Sequence, residues 1–349
     1  QRIYNKLSTI HEIIRHYTPH IEQTIRDALN DSPPFLKGVI EYHIGWANQD
    51  FRPVRSESGK MLRPVLSLLV FEALTGRFQP ALPAAAAIEL IHNFTLLHDD
   101  IEDNDHVRRG RPTAWTIWGQ PLVINAGDYL YTLAFRTLGQ LSAEHFSAGQ
   151  ILAVQNLVVT ACLELTKGQD LDIRFEQSQT VTTEMYLDMV YKKTGALLEA
   201  AILSGAVLGS NDESVIENYR VFARNLGIAF QIQDDMLGIW GDSDRTGKSA
   251  DNDLRRKKKT LPVLYTLEQT TGARGEQLRQ LYAASEPLSD AEIGFVRECL
   301  ALAGAQSYAR QKADATTEAA FSALAQIPIS NPAQTNLQAI ARFLMNRTR

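Results

Sequence analysis

The stretch "AAAAIELIHNFTLLHDDIED", residues 84–103, decides how the rest of the chain is read. Small and apolar residues fill it without a breaker, so it reads as one long helix that ends in carboxylates. At about 100° per residue, His92, Leu96, Asp99 and Asp103 fall within about 60° of one another, and Asp100 lies about 100° from Asp99. The simplest reading of an acidic run is a face turned to water. A solvated face rarely continues into Leu96 and Thr95, however. All these carboxylates are charged at neutral pH. Asp99 and Asp103, one turn apart, repel by about 3 kcal/mol at an effective dielectric of about 20. Positive charge is therefore expected beside them, and "NDHVRRGRP", residues 104–112, brings Arg108 and Arg109 directly afterwards.

Helical spacing continues on both sides of this segment. Near the end, Asn331 can cap a helix that starts with Pro332 and repeats Leu337, Ile340 and Leu344. Ser289 and Glu292 have capping-box spacing, with Leu288 as a staple. Thr182 or Thr183 can cap a helix through residues 184–209. Alternating strand patterns are nearly absent. The 349 residues could supply two domains, but no Pro/Gly/Ser tract or composition step divides them. The expectation is an all-α, single-domain helical bundle over 1–349.

Bulk properties narrow the function classes. A net charge of −5 argues against a general binder of nucleic acid or anionic membrane. Taken alone, "RRKKK" at 255–259 resembles a nucleic-acid patch, yet it lacks interleaved aromatics. No apolar run reads as a bilayer span. Cys162 and Cys299 are too few for a disulfide framework and have no metal-ligand spacing, which suits a reducing cytoplasm. Gln1 in place of a Met leaves a removed leader open.

A second acidic cluster sits in "GIAFQIQDDMLGIWGD", residues 227–242. Asp234 and Asp235 again end an apolar helical run, with Gly227, Phe230 and Gln231 on the side of Asp234. Two aspartate pairs, each at the end of a buried helix, are hard to explain by solvation. Hard oxygen donors suit Mg²⁺, which takes one or two carboxylates together with substrate phosphates. Basic residues recur in short motifs: Lys60 and Arg63 in "SGKMLRP", Lys193 in "YKKTG", Lys248 and Lys258 in "TGKSADNDLRRKKKTLP". Singly, each is an ordinary surface base. Glu89 and His92 also form E-x-x-H, but a di-iron carboxylate bundle needs that motif twice, and it occurs once.

Taken in order, these motifs resemble the trans-isoprenyl diphosphate synthases, the polyprenyl synthetases, over residues 35–345. "HDDIEDNDHVRRGRPT" resembles the first aspartate-rich motif of that family and "FQIQDD" the second. The resemblance implies a helical fold around a deep central cavity, a homodimer, and condensation of isopentenyl diphosphate with an allylic diphosphate (dimethylallyl, geranyl or farnesyl). It implies that Asp99, Asp100, Asp103 and Asp234 hold three Mg²⁺ on the allylic diphosphate, with Asp235 behind them. Arg108, Lys193, Thr194, Gln231, Lys248 and Lys258 would steady that group. Lys60, Arg63, His92 and Arg109 would grip isopentenyl diphosphate, and Gln169 and Asp172 would line the cavity together with Phe230. Two departures stand out: position 238 is Gly where the family has a third Asp (Asp242 lies one turn on), and Met61 replaces a basic residue.

Family resemblance also makes Phe94, five residues before Asp99, a floor for the growing chain. With Thr95 beside it and nothing inserted in "DDIED", the pattern most resembles synthases of the C20 product geranylgeranyl diphosphate. The C15 farnesyl product is the runner-up. A catalytically weak or regulatory subunit and a terpene cyclase, which shares the first motif, remain as alternatives.

Overall fold

The computed structural model describes residues 2–54, 59, 61–178, 180–241 and 252–345. Lys60, Asp242 and Lys248 lie outside them. The chain forms two compact units: residues 1–158, 200–216 and 329–338 make the first, and 159–199, 217–328 and 339–349 the second. Each is built almost wholly from helices, as the spacing predicted.

In the first unit, α1 (Arg2–Ala28), α2 (Pro34–Ile44) and α3 (Leu62–Thr75) precede α4 (Leu82–Glu102). The helix predicted over 84–103 is therefore present, and it begins one turn of 3₁₀ after Phe78 with Pro83 in its first turn. α4 is buried on most sides: Ala84 to Ala87, Ile88, Leu90, Ile91 and Leu97 have no exposed surface. Such a helix belongs in a core. It packs against α1, α3 and α6 (Gln120–Leu138), the last reached through a two-stranded hairpin, β1 (Val107–Arg108) and β2 (Arg111–Pro112), and the short α5 (Ala114–Trp118). Asn331 caps the last helix, α16 (Pro332–Met345), accepting from the Gln334 N–H at 3.0 Å. Its amide also donates to the Ala73 carbonyl at 2.8 Å, tying that cap to the end of α3.

α7 (Ala148–Gln177), α9 (Ala196–Gly209) and α10 (Glu213–Trp240) each contribute to both units. In the second unit, Thr182 caps α8 (Thr183–Val190), accepting from the Met185 N–H. The single helix expected through 184–209 is interrupted: residues Tyr191–Gly195 form a π turn between α8 and α9. Later in the chain come α11 (Asn252–Arg255), α12 (Leu261–Gln269), α13 (Gly272–Ala283), α14 (Asp290–Leu302) and α15 (Ala305–Ala325). The Ser289–Glu292 capping box opens α14 as predicted. Phe175, Tyr186, Met189, Ile232, Met236, Leu261 and Leu264 form one core here.

One expectation needs correction. α4 and α7 are each long and apolar enough to cross a membrane by length and composition, contrary to the reading that no run is. The α4 segment is 61% buried, as a core helix should be. Within the "RRKKK" run, three bases are engaged by the fold. Arg255 donates to the Leu288 carbonyl and pairs with Asp290, Lys257 donates to the Ala284 carbonyl, and Lys259 donates to the Phe175 and Ser178 carbonyls. These bases cap chain ends and loops.

Candidate active site

The first acidic motif closes α4. Asp99 is half-buried, Asp100 is buried and Asp103 is exposed at the C-cap. The Asp103 N–H bonds the Asp99 carbonyl at 2.8 Å, and the Asp105 N–H bonds the Asp100 carbonyl at 2.9 Å. Asn104 takes a left-handed conformation, which ends the helix and turns the chain back.

The turn feeds the hairpin carrying the arginines. Val107 pairs with Pro112 and Arg108 with Arg111, and Arg109 and Gly110 between them have φ of +52° and +73°. Two positive φ values are what a two-residue type I′ turn requires. Gly110 takes its place freely, whereas Arg109 adopts it at a cost of about 1–2 kcal/mol. Arg109's guanidinium lies against Gly59, where a Cβ would meet its Nη2 at 2.7 Å. Arg111 anchors the hairpin, donating to the Tyr42 and Ala47 carbonyls at 3.2 and 2.8 Å and covering the Tyr42 ring.

This places Arg108 Nε 2.5 Å from Asp100 Oδ1. Burial raises the Asp100 pKa, and Arg108 acts against that. Asp100 Oδ2 is buried with no hydrogen-bond partner among the described residues. A buried ionised oxygen without a donor is costly unless a cation meets it.

Beside the hairpin is a wall of cationic side chains. Arg63, in the first turn of α3, has its Nη1 3.3 Å from His92 Nε2. Burial, with Arg63 and Arg109 beside it, holds His92 well below its usual range, so the ring is neutral and Nε2 accepts. Arg63 Nε is buried without a partner among the described residues. Glu89, one turn before His92, accepts from Asn93 Nδ2 at 3.1 Å and is pushed up to about 7 by burial, with Arg63 opposing. His43 of α2 is pushed down to about 3 by burial and by Arg108, Arg109 and Arg111. Glu89 and His92 thus serve Asn93 and Arg63. Sequence reasoning missed Glu89 and His43 as parts of this wall: E-x-x-H signalled Glu89, but nothing flagged His43. Met61 is 4% exposed in a left-handed conformation, so the departure there puts an apolar chain into the core.

Further along α4, Phe94 packs its ring 5.0 Å from Tyr131 and 4.9 Å from His98. The Thr95 hydroxyl turns back to the His92 carbonyl at 2.8 Å.

The second unit gathers a second set. α10 carries Phe230, Gln231, Asp234 and Asp235, α7 carries Gln169 and Asp172, and the π turn carries Lys193 and Thr194. Asp234 is exposed and Asp235 buried. Asp235 Oδ2 accepts from the Tyr186 hydroxyl and from the Leu261 N–H at 3.1 Å, and its Oδ1 accepts from Gln231 Nε2 at 3.2 Å. Lys193 Nζ lies 2.5 Å from Asp172 Oδ2. Partial burial pulls the Lys258 ammonium down, but Asp235, Asp253, Asp234 and Asp172 outweigh it and raise its pKa.

The missing third aspartate has a local explanation. A Cβ at Gly238 would stand 2.1 Å from Asp253 Oδ2. Asp253, which sequence reasoning did not single out, therefore brings a carboxylate to that turn of α10. It sits 4.0 Å from Lys258.

The donors assembled in these sets are carboxylate oxygens, the chemistry Mg²⁺ selects, and Asp100 leaves one buried oxygen for a cation. Among the described residues, no three His, Cys, Asp or Glu side chains gather closely enough to hold an ion by themselves. Mg²⁺ bound through substrate phosphates needs no such cage.

Comparison with known proteins agrees with this chemistry. Residues 45–300 match the model of the polyprenyl synthetase family. The chain is 35% identical over 344 residues to the (2E,6E)-farnesyl diphosphate synthase of Mycobacterium tuberculosis, covering 98% of this chain and 92% of that one. It is 39% identical over 289 residues to the geranylgeranyl diphosphate synthase of the same organism, covering 83% and 81%. A crystal structure of polyprenyl synthase from Caulobacter crescentus, complexed with calcium and isoprenyl diphosphate, superposes with a TM-score of 0.80 at 26% identity, covering 97% and 98%. The chain belongs to the polyprenyl synthetase family and is a prenyltransferase, a short-chain prenyl diphosphate synthase.

Proposed function

We propose that this chain condenses isopentenyl diphosphate with an allylic diphosphate and stops at the C20 product, geranylgeranyl diphosphate. The observation that carries the reading is the buried Asp100 carboxylate, paired on one side with Arg108 and open on the other. Its chemistry asks for a cation, and a diphosphate supplies the reason for one.

The reaction makes a carbon–oxygen bond break so that an allylic cation forms. Mg²⁺, three ions per site, would supply the positive charge that stabilises the departing diphosphate. Asp99, Asp100, Asp103 and Asp234 would hold the ions, and Asp235 would fix the end of α10 that presents Asp234. Lys193, Thr194, Gln231, Arg108, Lys248 and Lys258 steady the leaving group with fixed charges and dipoles. Arg63, Arg109 and Lys60 take the diphosphate of isopentenyl diphosphate. His92 orients Arg63 through its neutral Nε2. The double bond of isopentenyl diphosphate attacks the cation, a new carbon–carbon bond forms, and a proton leaves to the released diphosphate. Gln169, Asp172 and Phe230 line the reacting end.

Product length is set on α4. Phe94, wedged between His98 and Tyr131, closes the path along the helix, with small Thr95 beside it. The exposed apolar side of α7 (Leu152, Val159 and Leu163) suits a second copy of the chain, giving a homodimer in a reducing cytoplasm.

Radiolabelled isopentenyl diphosphate with C5, C10 and C15 primers, with and without Mg²⁺, tests the reading. C20 product from each primer, lost with EDTA, is expected. Product ending at C15 would replace geranylgeranyl with farnesyl, and no turnover with any primer would make the chain a silent subunit.

A further inference from the structure

The π turn that carries Lys193 and Thr194 is held by a network that the reaction chemistry does not use. Tyr191, its first residue, donates its hydroxyl to Glu199 Oε2 at 2.8 Å. Glu199 lies one turn beyond Gly195, the last residue of the π turn, so this bond closes over the whole turn. Glu199 is buried, and two arginines of α10 converge on it: Arg220 Nη1 at 3.3 Å from Oε1 and Arg224 Nε at 3.5 Å from Oε2. Arg224 Nη2 also donates to the Tyr191 hydroxyl at 3.1 Å, with its guanidinium 4.5 Å over the ring. The hydroxyl is thus donor and acceptor at once.

Backbone packing leaves the turn little other room. A Cβ at Gly168 of α7 would meet Lys193 N at 2.2 Å, and one at Gly227 of α10 would meet Gly195 Cα at 3.0 Å. Arg220, Arg224, Gly227, Gln231 and Asp234 recur at intervals of four, three, four and three, which is one stripe of α10. The same stripe therefore grips the π turn and ends in an acidic motif residue. A π turn holds one residue more than the helix around it, and reverting to regular helix would rotate every later side chain by about 100°. Lys193 and Thr194 point correctly only while the extra residue is retained.

We propose that Tyr191 and Glu199, backed by Arg220 and Arg224, are positioning residues that lock the π turn and so aim Lys193 and Thr194 at the allylic diphosphate. This rests on the prenyl-transfer reading above.

The test is a double-mutant cycle with a readout that does not depend on turnover. Tyr191→Phe is made in the wild type and in Lys193→Ala, with Glu199→Gln as a second lock variant. The expected result is kcat lowered about three- to tenfold by Tyr191→Phe, the loss of one hydrogen bond made through Lys193. KM for isopentenyl diphosphate stays unchanged, and the further loss in the Lys193→Ala background is smaller than in the wild type, because only Thr194 is left to misaim. Amide exchange over residues 191–196 speeds up in Tyr191→Phe and Glu199→Gln. An unchanged kcat, an equal additional loss in Lys193→Ala, or unchanged exchange across 191–196 overturns the proposal. Were the wild type inert with every primer, the exchange measurement would still decide the lock, while the prenyl-transfer reading would fall separately.

Discussion

The two aspartate pairs look alike in sequence, yet their buried members are built differently. Asp100 has one strong partner, Arg108, and an oxygen with none among the described residues. Asp235 accepts from Tyr186, Leu261 and Gln231, so both of its oxygens are used. A buried carboxylate that is fully bonded holds structure together, and one that is half bonded stores a demand for a cation. On the proposed function the pairs would divide their labour differently: Asp99 and Asp100 would both serve the metals, whereas Asp235, bonded to Tyr186, Leu261 and Gln231, ties down the helix that carries Asp234.

That contrast can be broken at its strongest point first. Asp99→Ala or Asp234→Ala should lower turnover by about 10³-fold while the circular dichroism spectrum stays helical. Activity retained in either variant would remove the shared-metal reading. The buried pair should then separate. Asp100→Asn is expected to cost about 10²-fold in turnover but to change unfolding free energy by no more than about 1 kcal/mol. Asp235→Ala should lower stability by about 2–3 kcal/mol in urea, because the Tyr186 hydroxyl and Leu261 N–H lose their acceptor. If Asp100→Asn proved the more destabilising, the distinction would be wrong.

Glu89 sharpens the comparison through pH. Its carboxyl, pushed from 4.5 up to about 7 by burial, keeps its proton in the folded chain where the unfolded chain has lost it. The folded state binds more protons in that window, so stability falls as pH rises through it, by about 3 kcal/mol in all. Urea unfolding of Glu89→Gln between pH 5 and 8 should show that slope removed. An identical slope in both proteins would mean that Glu89 is charged throughout. The smallest effect on rate is expected at Phe94→Ala, which should lengthen the product by about one C5 unit with turnover within about threefold. An unchanged product distribution on chromatography would reject Phe94 as the floor.

Much of the fold was legible because helices are written locally. The run at 84–103 lacks breakers, Asn331-Pro332 and Ser289-x-x-Glu292 are end signals, and the structure begins or ends helices at each. The π turn escaped notice, since "YKKTG" has nothing in its composition that forbids an ordinary helix. It lies where the backbone is packed closely against Gly168 and Gly227, residues distant in sequence. The hairpin was hidden for a similar reason: two residues per strand are too few for an alternating pattern, and only Arg109 and Gly110 hint at the turn.

The candidate site divides along the same line. Residue type and spacing along the chain nominate the carboxylates and bases of the proposed site, because the chemistry of a diphosphate demands them in quantity. Which aspartate of each pair is buried, that His92 is neutral, that Glu89 and His43 stand behind the arginines, and that Asp253 fills the space beside Gly238 were decided only by tertiary structure. Burial and through-space charge depend on neighbours brought from other helices. A linear pattern carries the identity of a group but not the dielectric and partners that set its state.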